Sequence, residues 1–437
     1  MRRLARSIGL ALALLLPPAS ADASDPPRAV DPVRAKAVAV EKAVRWLGEH
    51  VFALPDASGS PRKPFTLAIT GIDLLLTSGT TNDRAAADRI RRCKEGLSEF
   101  IAVAQKRTHD ARELPTGHGV ADSSKFCQYT WVLGAASLFF AEARARGLYR
   151  SEADRAFTAI ATLLVEAQDE NGGFGHGRIA SPGTERAPDA SEPPLRLARL
   201  APLGTGYPST LVSTTNVVAS GLGLARPWFP AGPASQADAL LARLRSHYPR
   251  AQVAAGNFPY DLSQRSAGEE PTSVGRTAGA IAAMRAIGIA ATTDAIRRAE
   301  AFYDRRMDEL AEGHGSPALN VFLGALAAKM RGEAAQKEFE RRFVPRILEH
   351  ARDDGSLDCI CRRTAFGVTC DSPDHGMLAG AGAVFAEGQK AYVTALLLFP
   401  LLLDASGRMR CLEPSGGAAA PRTPPPTTPS DPATGAK

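Results

Sequence analysis

From about Asp31 to Leu403, apolar positions recur at helical spacing and almost no stretch alternates with a period of two. Gly and Pro cut this pattern into segments of two kinds. One kind is amphipathic and charged: Asp31–Val51, Asn82–Gln105, Ser151–Gln168, Ser235–Tyr248, Thr292–Leu310 and Ala334–His350. In the second of these, Ile90, Leu97, Ile101 and Val103 share one face while Asp88, Arg91, Lys94 and Glu95 share another, the signature of a surface helix. The other kind is apolar nearly all round and rich in small residues: Thr66–Thr77, Phe126–Ala145, Thr210–Ala225, Ser273–Ile287, Pro317–Met330 and Lys390–Leu403. Such helices must be buried, and their Gly and Ala let neighbours approach closely.

The two kinds alternate, giving a repeat of roughly 50–65 residues that reads as an array of helical hairpins. Gly79, Gly147, Gly288 and Gly332 follow four of the apolar segments as C-caps. Six uniformly buried helices need cover on every side, which a closed ring supplies. The expected fold is therefore all-α, an (α/α)6 toroid of six helical hairpins.

The ends of the chain read differently. Met1–Ala21 has Arg2, Arg3 and Arg6, a short apolar run and Ala19-Ser20-Ala21, the pattern of a secretory signal peptide. Residues 22–30 form a polar leader, 31–412 the toroid domain, and 413–437 a Pro- and Thr-rich tail with seven Pro, expected to be disordered. Residues 176–208, rich in Pro, Arg and Ala, interrupt the hairpin rhythm as a long insertion loop, either a lid over the ring or a plain surface insertion. The protein is expected to be exported, to a periplasmic or extracellular location. No later segment reads as a membrane span, since Leu396–Leu403 is short and contains Pro400.

The 437 residues are 44% hydrophobic and 22% charged, as in a globular protein. Three of the formal charge of +6 belong to the signal segment, leaving +3, too little for a nucleic-acid face.

Two loops after charged helices, Glu166-Ala-Gln-Asp-Glu-Asn-Gly-Gly-Phe-Gly175 and Glu349-His-Ala-Arg-Asp-Asp-Gly-Ser-Leu357, carry an acidic or Asn residue, then Gly, then a large apolar residue. With the inner segments Asp122–Gly134, Ser213–Gly221 and Gly275–Met284, this order resembles the repeat of the terpenoid cyclase and protein prenyltransferase β-subunit superfamily. In particular it is similar to exported bacterial prenyltransferase-like, squalene-cyclase-like repeat proteins. The resemblance spans about Val30 to Asp404 and implies the toroid. The chemistry departs from it: the chain has no DxDD motif, and Asp358-Cys359-Ile360-Cys361 does not match an Asp-x-Cys zinc pair. Only Trp46, Trp131 and Trp228 are present, against the many Trp of squalene-type cyclases.

Inner-helix N-termini gather at one mouth of such a ring, where free N–H groups favour anions and polar ligands. The candidate functional residues there are His118, Asp122, Tyr129, Arg276, His314 and His375, with Lys125 and Asn320 nearby. A His beside a carboxylate suits general acid–base work, whereas Asp122 and Ser123 as N-caps and Arg276 on a helix-end carbonyl or a carboxylate are the structural alternatives. Cys359, Cys361, Cys370 and His375 have a spacing compatible with zinc. In an oxidising compartment, disulfides drawn from Cys359, Cys361, Cys370 and Cys411 are the stronger expectation. Cys93 and Cys127 either pair or pack as small hydrophobes. No cofactor is expected apart from that zinc alternative. Asp261, Glu269, Glu270, Asp353 and Asp354 read as solvated loop charge, although a glycan-active barrel needs two facing carboxylates.

The leading functional reading is a protein that holds an apolar or mixed small ligand in the barrel mouth. The alternatives are a zinc-dependent or glycan-active enzyme, with a glycan as ligand, and a structural scaffold.

Overall fold

The computed structural model describes residues 31–54, 63–77, 84–106, 129–175, 210–260, 273–312, 316–361, 383–403 and 409–413. Twelve α-helices lie within them: α1 (Pro32–His50), α2 (Lys63–Thr77), α3 (Arg84–Lys106), α4 (Tyr129–Ala145), α5 (Arg150–Ala167) and α6 (Val212–Ala225). They continue with α7 (Ala231–Ala251), α8 (Val274–Ala286), α9 (Asp294–Arg306), α10 (Pro317–Arg331), α11 (Glu333–Glu349) and α12 (Ala383–Leu402). The odd-numbered helices are the charged, amphipathic segments and the even-numbered ones the apolar segments. Every residue of α6 except Ser213 is buried, whereas α9 buries only Ile296, Ala299, Phe302 and Tyr303 along one stripe.

The even helices form a closed ring in which α2 packs on α4, α4 on α6, α6 on α8, α8 on α10, α10 on α12 and α12 on α2. Outside it α3 covers α2, α5 covers α4, α7 covers α6, α9 covers α8 and α11 covers α10. The sixth cover comes from the start of the chain, because α1 packs on α12. There the Lys390 ammonium lies 5.3 Å above the Trp46 ring and pairs with Asp354 at 2.6 Å. The chain is thus an all-α (α/α)6 toroid. No helix among the described residues is long and apolar enough to cross a membrane.

Element bounds depart from the sequence pattern where packing outweighs local propensity. Helix α12 begins at Ala383 rather than Lys390, running through Gly388. Pro400 lies inside it instead of ending it. Helix α9 stops at Arg306 and tightens into a 3-10 turn over Met307–Glu312. As expected, Gly147, Gly288 and Gly332 take positive φ after their helices; Gly79 lies outside the described residues.

Three of the outer helices, α5, α7 and α11, end in loops built to one plan. Gly172, Gly256 and Gly355 have φ of 84°, 98° and 98°. A Cβ on them would fall 2.6, 2.4 and 2.8 Å from the carbonyl oxygens of Arg243, Arg298 and Lys42, on α7, α9 and α1. Two residues later the chain amides of Phe174, Phe258 and Leu357 donate to the hydroxyls of Thr215, Thr277 and Thr394 on the inner helices. Gln168 and Gln252 each donate to their own loop glycine and to the next outer helix, at Leu240 and Ala295. Glycine lets the loop touch the following outer helix, so each hairpin is fastened to its neighbour. The loop at 252–258 is a third copy of the two found in the sequence.

Candidate functional site

The mouth is the end at which the inner helices begin. The third residues of α2, α4, α6 and α8 are Phe65, Trp131, Thr214 and Arg276, so equivalent registers of the repeat meet there. Phe65 touches Trp131 edge-on, with ring centroids 5.9 Å apart, and Tyr392 of α12 at the same distance on its other side. The Trp131 indole N–H donates to Thr214 Oγ1 at 2.5 Å. The Tyr392 hydroxyl donates to Ser316 Oγ at 3.0 Å, and Ser316 caps α10 by accepting from Leu319 N–H. Ser316, Tyr392, Phe65, Trp131 and Thr214 therefore form a continuous layer from α10 through α12, α2 and α4 to α6.

Helix α8 joins this layer through its backbone. Asn216 of α6 donates from Nδ2 to the Arg276 carbonyl at 2.8 Å and accepts from the Tyr248 hydroxyl at 3.1 Å. Arg276 is 2% exposed. Its Nε donates to the Phe258 carbonyl, and its guanidinium lies 5.8 Å from the Tyr260 ring. That carbonyl belongs to the loop after α7 and is not the helix-end carbonyl or carboxylate of the structural alternative. Asn320 lies flat on Gly275, where a Cβ would stand 2.0 Å from its Cγ, and its Nδ2 has no hydrogen-bond partner among the described residues.

The only buried carboxylates among the described residues, Asp73 and Glu142, lie low in the ring, near the ends of α2 and α4. The mouth layer itself combines aromatic faces, hydroxyls, a carboxamide and a guanidinium at the positive ends of helices. A void of about 10 Å³, lined by Phe65, Ile69, Leu138, Ser220, Phe322 and Leu326 among others, has room for one water.

Of the residues that the sequence pointed to, Arg276 and Asn320 lie at the mouth, and Tyr129 opens α4. His118, Asp122, Lys125, His314, Cys127, Cys370 and His375 lie outside the described residues, as do Asp261, Glu269 and Glu270. Asp353 is exposed, and Asp354 is held at about 2 by hydrogen bonds from Lys390 and Ser356 that outweigh its partial burial. Asp353 is thus solvated loop charge, whereas Asp354 is paired with Lys390 and holds its own loop through Ser356. Trp131, Thr214 and Tyr392 were missed, because nothing local distinguishes them from core residues.

Cys359 is buried and Cys361 half-buried in the connection from α11 to α12, at the mouth end. Among the described residues no group of three or more His, Cys, Asp and Glu could hold a metal. Cys411 does not belong with them. It lies at the opposite end of the ring against Glu142, and burial, with that carboxylate second, pushes the pKa of its thiol far up. Cys93 is fully buried and packs on Gly71.

The described residues define the chain as an (α/α)6 toroid whose inner helices are joined, near their starts, by a buried layer of aromatic rings and hydroxyls. No family model and no curated protein matches it. Among solved structures it is similar to a glycosidase variant, with a TM-score of 0.49 and 15% identity over 86% of this chain and 100% of that one. A glycosidase variant in complex with glucose gives 0.47 and 16% identity over 86% and 100%. A possible member of the GH105 family from Salmonella enterica subsp. enterica serovar Paratyphi A gives 0.32 and 12% identity over 89% and 98%.

Proposed function

We propose that this exported toroid takes a saccharide at its mouth. The observation that carries the reading is the layer Ser316–Tyr392–Phe65–Trp131–Thr214, with Arg276 and Asn320 beside it. A sugar ring has apolar C–H faces and a rim of hydroxyls. Aromatic rings, fixed hydroxyls, a carboxamide and a guanidinium are the complementary partners. A purely apolar ligand, one form of the apolar or mixed ligand expected from sequence, would leave the hydroxyls, the carboxamide and the guanidinium unmatched. Glycoside hydrolysis would further need two facing carboxylates; the described mouth supplies binding groups, and the reading rests on binding.

The test is titration of the full chain with a panel of oligosaccharides, read by tryptophan fluorescence and heat, with release of reducing ends assayed in parallel. At least one saccharide should bind, and Trp131→Ala should weaken it about tenfold or more while circular dichroism is unchanged. Binding of an isoprenoid probe with no saccharide binding would restore the apolar-ligand reading. Binding of neither would leave a scaffold.

A further inference from the structure

Two buried carboxamides lie on glycines of α8. A Cβ on Gly275 would stand 2.0 Å from Cγ of Asn320, on α10, and one on Gly279 would stand 2.8 Å from Nδ2 of Asn216, on α6. The two carboxamides are used differently. Asn216 donates from Nδ2 to the Arg276 carbonyl and accepts from the Tyr248 hydroxyl, so it ties α6 to α8 and to α7. Asn320 is 5% exposed, and its Nδ2 has no hydrogen-bond partner among the described residues. A buried donor without a partner lowers stability, and an apolar side chain of similar size would avoid that loss. Functional sites are where folds keep such groups.

The carboxamide also stands at the right height. Gly275 is the second residue of α8 and Asn320 the fourth of α10, so both belong to the first turns, level with the mouth layer. In the ring order α10 stands opposite α4, and α8 opposite α2. Asn320 therefore lies across the ring from Trp131 and Phe65. Aromatic faces on one side and an N–H without a partner on the other match the two faces of a sugar unit. Its C–H face packs on the rings, and a hydroxyl oxygen accepts from the N–H.

We infer that Asn320 is a specificity-determining residue of the saccharide site, its Nδ2 donating to one hydroxyl oxygen of the bound sugar on the side away from the aromatic rings. The inference rests on the saccharide reading and adds to it that the ligand carries a free hydroxyl at this point. Gly275, by lacking a Cβ, leaves the space in which the carboxamide is held.

The test uses the full chain and the saccharide that binds best in the oligosaccharide titration. Asn320→Leu should keep or raise the Tm, whereas Asn216→Leu, which loses two hydrogen bonds, should lower it. Asn320→Leu should also bind that saccharide at least about tenfold more weakly. A second measurement needs no variant to fold. Among analogues lacking one hydroxyl at a time, one should bind the wild type at least about tenfold more weakly, and should bind Asn320→Leu as well as it binds the wild type. A fall in Tm for Asn320→Leu as large as for Asn216→Leu would overturn the inference, because the carboxamide would then serve the fold. Full binding by Asn320→Leu, beside weakened binding by Trp131→Ala, would overturn the role of Asn320 and leave the saccharide reading standing. No saccharide binding by the wild type would overturn both.

Discussion

Gly221 of α6 lies directly against the carbonyl oxygen of Gly134 on α4, so close that a Cβ on Gly221 would stand 1.9 Å from it. The Gly134 side of the crossing is equally tight, 2.8 Å from the Cα of Val218. Two inner helices therefore touch backbone to backbone at mid-height, which sets the ring diameter there.

That contact predicts a large difference between two similar substitutions. Gly221→Ala must push α4 and α6 apart and should cost upwards of about 2 kcal/mol. Gly232→Ala, near the start of α7, meets nothing within 4 Å. It should be neutral or stabilise by up to about 1 kcal/mol by restricting the unfolded chain. Urea denaturation of both variants checks this. Equal effects would mean that the ring can dilate and that the glycine crossing does not set its size.

The alternation of helices was legible because burial is written into composition: a charged stripe cannot enter the ring, and an all-apolar helix cannot leave it. Ring closure followed from the need to cover six such helices. The mouth layer was not legible, because Trp131 and Thr214 are 83 residues apart and meet only once the hairpins are side by side. The third loop is hidden in the sequence because Ala254 and Ala255 stand where the other two copies have Glu170 and Asn171 or Asp353 and Asp354. A signal was nevertheless present: Gln252, Gly256 and Phe258 repeat the spacing of Gln168, Gly172 and Phe174.

Asp73 is fully buried, and neither carboxylate oxygen has a hydrogen-bond partner among the described residues. Desolvation holds its pKa well above the ordinary value. Above about pH 4 the unfolded chain releases this proton while the native state keeps it. Stability from this group is therefore complete at low pH and falls as pH rises toward the raised native pKa, with a limiting slope of about 1.4 kcal/mol per pH unit. Asp73→Asn should remove that slope. The variant should exceed the wild type in stability at pH 7 and match it more closely at pH 4, as read by denaturation at several pH values. Parallel curves would show that Asp73 is ionised in the fold.

His247 works in the opposite direction. It is 1% exposed on α7, and its Nδ1 is hydrogen-bonded to the Asn171 carbonyl. Burial lowers its pKa to about 4, partly opposed by that hydrogen bond and by Asp169. Between about pH 6.5 and 4 the unfolded chain binds a proton that the native state refuses. The associated stability is present above about pH 6.5 and is lost as pH falls toward 4, a change on the order of 3 kcal/mol. His247→Gln should flatten this acid limb while leaving the slope due to Asp73. A variant that keeps the full acid limb would assign it to the surface carboxylates instead.

The two glutamines that fasten neighbouring hairpins are not equivalent. Both donate to a loop-glycine carbonyl and to an outer-helix carbonyl. Gln252 Oε1 also accepts from Arg298 at 2.9 Å, whereas Gln168 Oε1 has no partner among the described residues. Gln252 is 4% exposed and Gln168 only half-buried. Truncation at 252 strands one buried and one half-buried carbonyl and a guanidinium contact, at about 1 kcal/mol or more for each lost partner. Gln252→Ala should therefore cost about 2–4 kcal/mol and Gln168→Ala about half as much, by thermal and urea unfolding. If the order were reversed, the fastening would lie in the glycine contacts, since Gly172 and Gly256 meet the next outer helix at nearly the same distance.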